Sequence, residues 1–321
     1  MATNTANAVP SKQVEPKTHG FWFDLFRRLI REKPLGTFGL VIVIILFIVG
    51  IFANFIAPYG MNEIHLFDRL KPPSSTYLLG TDQLGRDILS RLIYGARVSM
   101  IIGVCATALS EGLATIIGVV SGYLGGKLDM IVQRFVDAWM SIPGFIVVMT
   151  VMSIVGAGMV PLILIIGIQG AISHSRVIRS AVIGIKANMY VSASDAIGCG
   201  SIRTMIRHIL PNVMAVIIIG FTLGMGGAIM YEASLSFLGF GVPPGVPSWG
   251  SMLSNEGRQY MEHAPWLALW PGAALTLVVY GINMFGDSLR DLLDPRLRGG
   301  IGRYTLKEKS TKKLRERLAN R

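Results

Sequence analysis

The stretch Tyr190-Val-Ser-Ala-Ser-Asp-Ala-Ile-Gly-Cys-Gly-Ser-Ile-Arg-Thr-Met-Ile-Arg-His-Ile-Leu-Pro211 decides the fold of this chain. It is polar and basic, and it lies between two strongly apolar runs. Its spacing is compatible with a helix. Pro211 is placed to start the next helix, where a missing N–H is no loss.

The apolar runs on either side set the class. Of 321 residues, 51% are hydrophobic and only 15% are charged, with a mean hydropathy of +0.53. A soluble protein of this size would carry about 25% charge. Several runs approach membrane length almost without charge, the pattern of a polytopic helical membrane protein. The 37 glycines and 16 methionines fit, because small residues let membrane helices approach closely. The net charge of +11 is unevenly placed: six Lys and Arg precede Pro34, seven lie between Lys127 and Arg207, and eleven follow from Arg290. With six spans these groups fall on one side, which puts both termini in the cytoplasm by the positive-inside rule. That distribution, and the lack of any nucleic-acid-binding motif, argue against nucleic acid as a partner. Cys105 falls in a predicted span and Cys199 in the polar segment, so they do not pair, and no metal spacing exists. No cleavable signal peptide is visible, and the first 20 residues read as a polar, disordered lead-in.

The expected order is as follows. Residues 1–33 form a cytoplasmic segment, ending in an amphipathic helix over Phe21–Lys33. A transmembrane domain covers 34–290, and 291–321 form a basic cytoplasmic tail. The first span runs from Leu35 to Ile56; roughly 20 residues cross the hydrocarbon core. An external loop follows over 58–97, including a short interfacial helix over Leu79–Arg97 with Thr81 as its N-cap. The second span is Val98–Ser121, with an inner turn over Gly122–Asp129. The third is Ile131–Val155, bent at Pro143. The fourth is Val160–Ile185, whose His174, Arg176 and Arg179 must leave the lipid or face protein. The polar segment 186–207, the fifth span Leu210–Leu235, an external loop 239–265 and the sixth span Trp266–Phe285 complete the domain.

Three further stretches join the polar one: Gly80–Ser99, Glu232-Ala-Ser-Leu-Ser-Phe-Leu-Gly-Phe-Gly241 running on to Pro247-Ser-Trp-Gly250, and Gly286-Asp-Ser-Leu-Arg-Asp-Leu-Leu-Asp-Pro-Arg-Leu-Arg298. Together the four resemble the C-type permease of the dipeptide/oligopeptide/nickel family of ABC importers over roughly residues 30–300. The resemblance implies an all-α, six-helix type I importer permease fold. It also implies a heterodimer with a B-type permease, two cytoplasmic ABC ATPases that carry ATP and Mg, and an extracytoplasmic substrate-binding protein. No cofactor is implied for this chain itself, and lipid is its surrounding. Residues 186–207 correspond to the ATPase-coupling segment, with Tyr190, Ser192, Ala193, Ser194, Asp195, Gly198, Leu210 and Pro211 at its motif positions. The family's usual Glu-Ala-Ala is here Ser192-Ala193-Ser194, a departure that weakens any claim that a charged contact to the ATPase is needed there. Ser192 is expected to cap the coupling helix and Asp195 to place charge near its N-terminus.

Glu111 lies inside a span and Glu232 near the end of another, which makes both pore or gate candidates. A structural hydrogen bond is the plainer reading of each. Asp137 and Asp287, near the inner ends of spans, are expected to be solvated or paired with Arg134 and Arg290. His19, His65, His174, His208 and His263 are too scattered to ligate one metal. The four-residue glycine spacings Gly118/Gly122/Gly126 and Gly220/Gly224 suit close helix packing, within the chain or against the second permease. No phosphate loop is present, since Gly122-Tyr-Leu-Gly-Gly-Lys127 has the wrong spacing, and no nucleophile–base set points to an enzyme. The cargo reads as di- or oligopeptides, with nickel chelates, glutathione-like peptides, opines and oligosaccharides open. A proton-coupled transporter using Glu111 and Glu232 is the alternative of a different class, and a membrane scaffold that recruits partners through its tail is a third.

Overall fold

Lys33 breaks a helix that Pro34 immediately restarts, and this junction sets the first turn of the architecture. The computed structural model describes residues 21–293; the polar lead-in and almost all of the basic tail lie outside them. Among the described residues every regular element is helical. Helix α1, Phe21–Glu32, buries Leu29 against the bundle while Phe23, Phe26, Arg27, Ile30 and Arg31 stay exposed. Helix α2, Pro34–Ile51, is apolar on all sides and only a third buried, as a lipid-facing helix must be. Lys33 reaches Asp291 across the bundle at 2.6 Å, joining the α1 end of α2 to the last helix.

After a short helix, Ala53–Ile56, the chain forms a folded loop. The Tyr77 hydroxyl donates to Asp68 at 2.8 Å, and Lys71 pairs with the same carboxylate. These two partners hold the Asp68 carboxyl below the usual range, and burdened by that neighbour the Tyr77 phenol is pushed up to about 12. Two expectations fail in this loop. Thr81 caps no helix: it is buried, and its hydroxyl joins the Lys71 amide and the Asp68 carbonyl. There is also no separate interfacial helix. Residues 80–87 are loop, and Asp87 caps a continuous 37-residue helix, α3, Ile88–Leu124, by accepting from the Ser90 amide and hydroxyl at 2.7 Å. The loop thus gives way to helix at Ile88, ten residues before Val98, where the second span was expected to begin. The reason is tertiary: Asp82, fully buried, accepts from the Arg86 guanidinium at 2.5 Å with Arg91 beside it, so these charges are matched inside protein.

Gly125 alone separates α3 from α4, Gly126–Met140, which is a tighter turn than the sequence suggests. Ser141–Pro143 breaks that helix from α5, Gly144–Val155, and the two meet at 78°. Pro143 cannot donate a backbone bond, so the break falls where expected, but it is an abrupt corner rather than a bend. Helix α6, Met159–Lys186, returns toward the α1 end. Five described helices, counting Ser201–Phe237 as one, are long and apolar enough to cross a membrane; the broken α4–α5 pair would make six.

The α3–α6 pair is the most extensive packing in the protein. A Cβ on Gly118 would lie 2.8 Å from the Ser175 carbonyl, and one on Gly122 3.1 Å from the Arg179 carbonyl. A Cβ on Gly220 or Gly224 would press on His174 and Thr107. These glycines therefore serve contacts inside the chain, while Gly126 faces open space and opens α4. The core divides into groups at the two ends and the middle of the bundle, such as Ile102, Met152 and Leu235, or Val119, Ile178 and Val213. At the end opposite α1, Trp249 donates to the Leu92 carbonyl at 3.1 Å, and Gly158 N–H donates to Gly241.

Candidate functional site

Two places in the fold combine polar chemistry with exposure: the segment between α6 and the next long helix, and a cavity within the bundle.

Asn188, in extended backbone, starts helix α7, Met189–Ala196, without a side-chain cap. The start lies earlier than expected, which moves two residues out of their anticipated roles. Ser192 is an exposed residue inside the helix and not its cap. Asp195 falls in the last turn, where it accepts a hydrogen bond from the Tyr123 hydroxyl at 3.1 Å. Val191 and Ser194, three apart, face inward. Val191 packs with Val119, Ile178 and Ile209, and the Ser194 hydroxyl meets that of Thr204 at 3.4 Å. Lys186 donates to the Tyr123 carbonyl at 2.6 Å and lies over the Tyr123 ring. The ends of α3, α6 and α7 are thereby tied together.

Gly198 ends α7. Its φ of +82° is the left-handed conformation that L side chains avoid. Gly198 N–H bonds to the Asp195 carbonyl and Cys199 N–H to the Ser194 carbonyl, the paired bonds of a Schellman closure. A helical turn, Ser201–Thr204, and a wide turn, Met205–Ile209, then run straight into α8, Leu210–Phe237. Pro211 does stand at the start of α8, as expected, but the widened turn runs into that helix without a break and leaves room for the backbone bond that proline cannot make. Met189, Ile197, Ile202 and Ile206 are 89%, 81%, 70% and 62% exposed around this turn, beside half-exposed Tyr190 and exposed Ala193. Sequence patterning missed this apolar knob, because its members belong to three different turns and show no single period.

The cavity, about 770 Å³, is walled by α3, α6, α8 and the end of α9, Trp266–Leu293. That volume suits a small solute. Its wall is largely apolar, interrupted by Ser110, Glu111, Gln169, Ser173 and His174, with Arg290 at one side. The Glu111 side chain is 7% exposed, and its Oε1 lies 2.8 Å from His174 Nδ1 without the alignment of a hydrogen bond. A Cβ on Gly220 would come within 3.0 Å of both Glu111 oxygens, so α8 presses directly on the pair. Gln169 is fixed from the far side by the Trp139 indole N–H at 2.7 Å.

Other anticipated residues lie elsewhere. Glu232 is fully buried, accepts from Ser236 at 2.7 Å and is not part of the cavity wall. Asp137 pairs with Arg176 of α6 and not with Arg134, and Asp129 binds Arg179 bidentately at 2.5 and 2.6 Å. Among the described residues no ion pair joins Asp287 to Arg290; Asp291, one turn on, takes Lys33 instead. His174 lines the cavity, and both cysteines are free.

Comparison with known proteins agrees with this layout. The family described as binding-protein-dependent transport system inner membrane component matches residues 114–299, and the N-terminal TM domain of oligopeptide transport permease C matches residues 20–73. The chain is 36% identical over 293 residues to the oligopeptide transport system permease protein OppC of Bacillus subtilis, covering 91% of this chain and 95% of that one. It is 38% identical over 291 residues to the dipeptide transport system permease protein DppC of Haemophilus influenzae, covering 88% and 97%. It is 35% identical over 299 residues to the glutathione transport system permease protein GsiD of Escherichia coli, covering 93% and 97%. Among solved structures, a chain of the MetNI methionine ABC transporter in inward-facing conformations aligns with a TM-score of 0.52 at 20% identity, over 64% of this chain and 96% of that one, a likeness of fold. The chain therefore belongs to the binding-protein-dependent transport system inner membrane components: it is a multi-pass permease subunit of an ABC importer in the peptide and glutathione group, and not itself an enzyme.

Proposed function

We propose that this permease moves di- or oligopeptides into the cytoplasm, delivered by an extracytoplasmic binding protein. The observation that carries the reading is identity of 36–38% to an oligopeptide and a dipeptide permease over about nine-tenths of this chain. Glutathione, the cargo named for another relative, is itself a tripeptide. The partners in this reading are a homologous B-type permease and two ABC ATPases, with ATP and Mg bound on the ATPases alone. Both termini are cytoplasmic, as the one-sided distribution of Lys and Arg supports. The open cavity supports a second permease as its missing wall. Family membership removes the proton-coupled alternative, since the driving step lies in the importer's ATPases.

In this reading α7 is the coupling helix, with Tyr190, Ser192, Ala193, Ser194, Asp195 and Gly198 on or just beyond it and Leu210 and Pro211 leading into α8. The ATPase docks on the apolar knob around it, and motion passes to α3 through Tyr123 and Asp195. Tyr123→Phe deletes that hydrogen bond, worth about 1.5–3 kcal/mol to a charged acceptor. It is expected to leave assembly and ATPase activity intact and to lower solute moved per ATP several-fold; an unchanged ratio would refute the linkage.

Reconstituted proteoliposomes test the cargo. The purified complex with its binding protein should accumulate labelled trialanine when ATP is inside with the ATPases, and an uncoupler should not abolish uptake. Failure to take up any peptide, while the binding protein still stimulates ATP hydrolysis, would show that the cargo is not a peptide.

A further inference from the structure

Glu111 is anomalous for a wall of this kind. Its carboxylate is more than nine-tenths buried among apolar helices, and Oε2 has no hydrogen-bond partner. An unmatched carboxylate oxygen in such a place is costly, and a permease that derives its energy from ATP has no need of it as a proton carrier. His174 contacts only Oε1, and out of line. The site is nonetheless held firmly. α8 approaches so closely at Gly220 that no side chain fits over the pair, and Ser110 of the same wall backs onto Gly170 just as tightly, its Oγ 2.6 Å from where a Cβ would stand.

From this we infer that Glu111 is a subsite for a primary ammonium group of the transported solute. The inference rests on the proposed function as a solute permease and takes this cavity as part of the solute's path. The chemistry of the donor set selects the ligand. One free carboxylate oxygen offers a single strong acceptor, whereas a guanidinium would require a two-oxygen fork. Among the described residues no three His, Cys, Asp or Glu side chains converge, so a metal ion would lack ligands. An ammonium has three N–H donors. The Glu111 carboxylate takes one, and the Ser110 and Ser173 oxygens on the same wall are acceptors of the right kind for the others. The largely apolar remainder of the wall keeps the local dielectric low, which strengthens a charge-assisted bond without adding specificity for the rest of the solute.

The test reads the charge of the site without requiring transport. In the assembled transporter, in membranes, Cys105 and Cys199 are replaced by alanine and Ser173→Cys serves as reporter. Its modification rate is measured with 2-aminoethyl methanethiosulfonate, a primary ammonium, and with neutral methyl methanethiosulfonate. The ammonium reagent is expected to be preferred, and Glu111→Gln to lower that preference about tenfold or more, the scale of one charge-assisted hydrogen bond. Arg290 is present in both chains and cancels in the ratio. A preference unchanged by Glu111→Gln would overturn the inference and mean that His174 already neutralises the carboxylate. A second measurement needs no change at Glu111: methylammonium should protect the reporter from the neutral reagent, and tetramethylammonium, which has no N–H, should not. Equal protection by both, or by neither, would also overturn it. Peptide uptake is not part of either readout, so a cargo other than peptides would leave these results interpretable.

Discussion

Met189→Asp combined with Ile197→Asp is expected to yield a permease that purifies without its ATPases. Both side chains are more than four-fifths exposed, so neither change touches the permease core. Docking would bury them. Burial of a large aliphatic side chain is worth about 1.5–3 kcal/mol, so the pair contributes roughly 3–6 kcal/mol, or about two to four powers of ten in affinity. Replacing each by a carboxylate adds the cost of desolvating a charge. The comparison that isolates docking is Met189→Leu with Ile197→Leu, which keeps the apolar area and should keep the ATPases. Quantitative mass spectrometry of the purified complex is the measurement. ATPases retained at the wild-type ratio, with both aspartates in place, would mean that the apolar knob is not where they dock.

Gly118→Val is expected to disrupt the α3–α6 contact severely. The new Cβ would stand 2.8 Å from the Ser175 carbonyl oxygen and 2.9 Å from the Arg179 amide nitrogen, both backbone atoms of α6 that no rotamer change can move. Overpacking ordinarily costs about 1–3 kcal/mol, and a backbone neighbour puts this site at or beyond the upper end. A melting temperature lower by roughly 10 °C follows for a protein of this size. Gly112→Val, six residues earlier on the same helix, meets nothing within 4 Å and should melt like the wild type. If the two variants melt alike, close α3–α6 packing is not what the glycine provides.

The membrane helices were legible because lipid leaves a one-dimensional signature: apolar runs of the right length, interrupted at Pro143 and by the polar stretch after Lys186. The break between α6 and α8 was legible for the same reason, as polar sequence between apolar runs. Its internal roles were not. Whether Ser192 caps a helix depends on the backbone of Asn188, and Asp195 took its partner, Tyr123, from a helix 72 residues away. The start of α3 was misplaced because Asp82, Arg86 and Arg91 look solvated in sequence and are matched to each other in the fold. Glu111 was singled out as an intramembrane carboxylate and lies on the cavity wall, but its neighbour His174 is 63 residues on and meets it only because α3 and α6 pack together. Glu232 carried the same sequence signal and stands behind the wall. Intramembrane charge marks a candidate; only packing says which way it faces.

The seam between the first and last long helices bears on how the chain is made. Gly39 of α2 backs onto Gly281 of α9, about 240 residues later, and Lys33 reaches Asp291. At about 5–20 residues per second, ribosomes supply the second half of that seam roughly 10–50 s after the first. During this interval α2 has no α9 to lean on, and until α3 follows and packs on its far end it must be stable in the bilayer alone. Its all-round apolarity is what permits that residence, so a polar substitution on the α9-facing side of α2 would be felt twice: once in the finished permease, and first as a failure of the nascent chain to stay inserted.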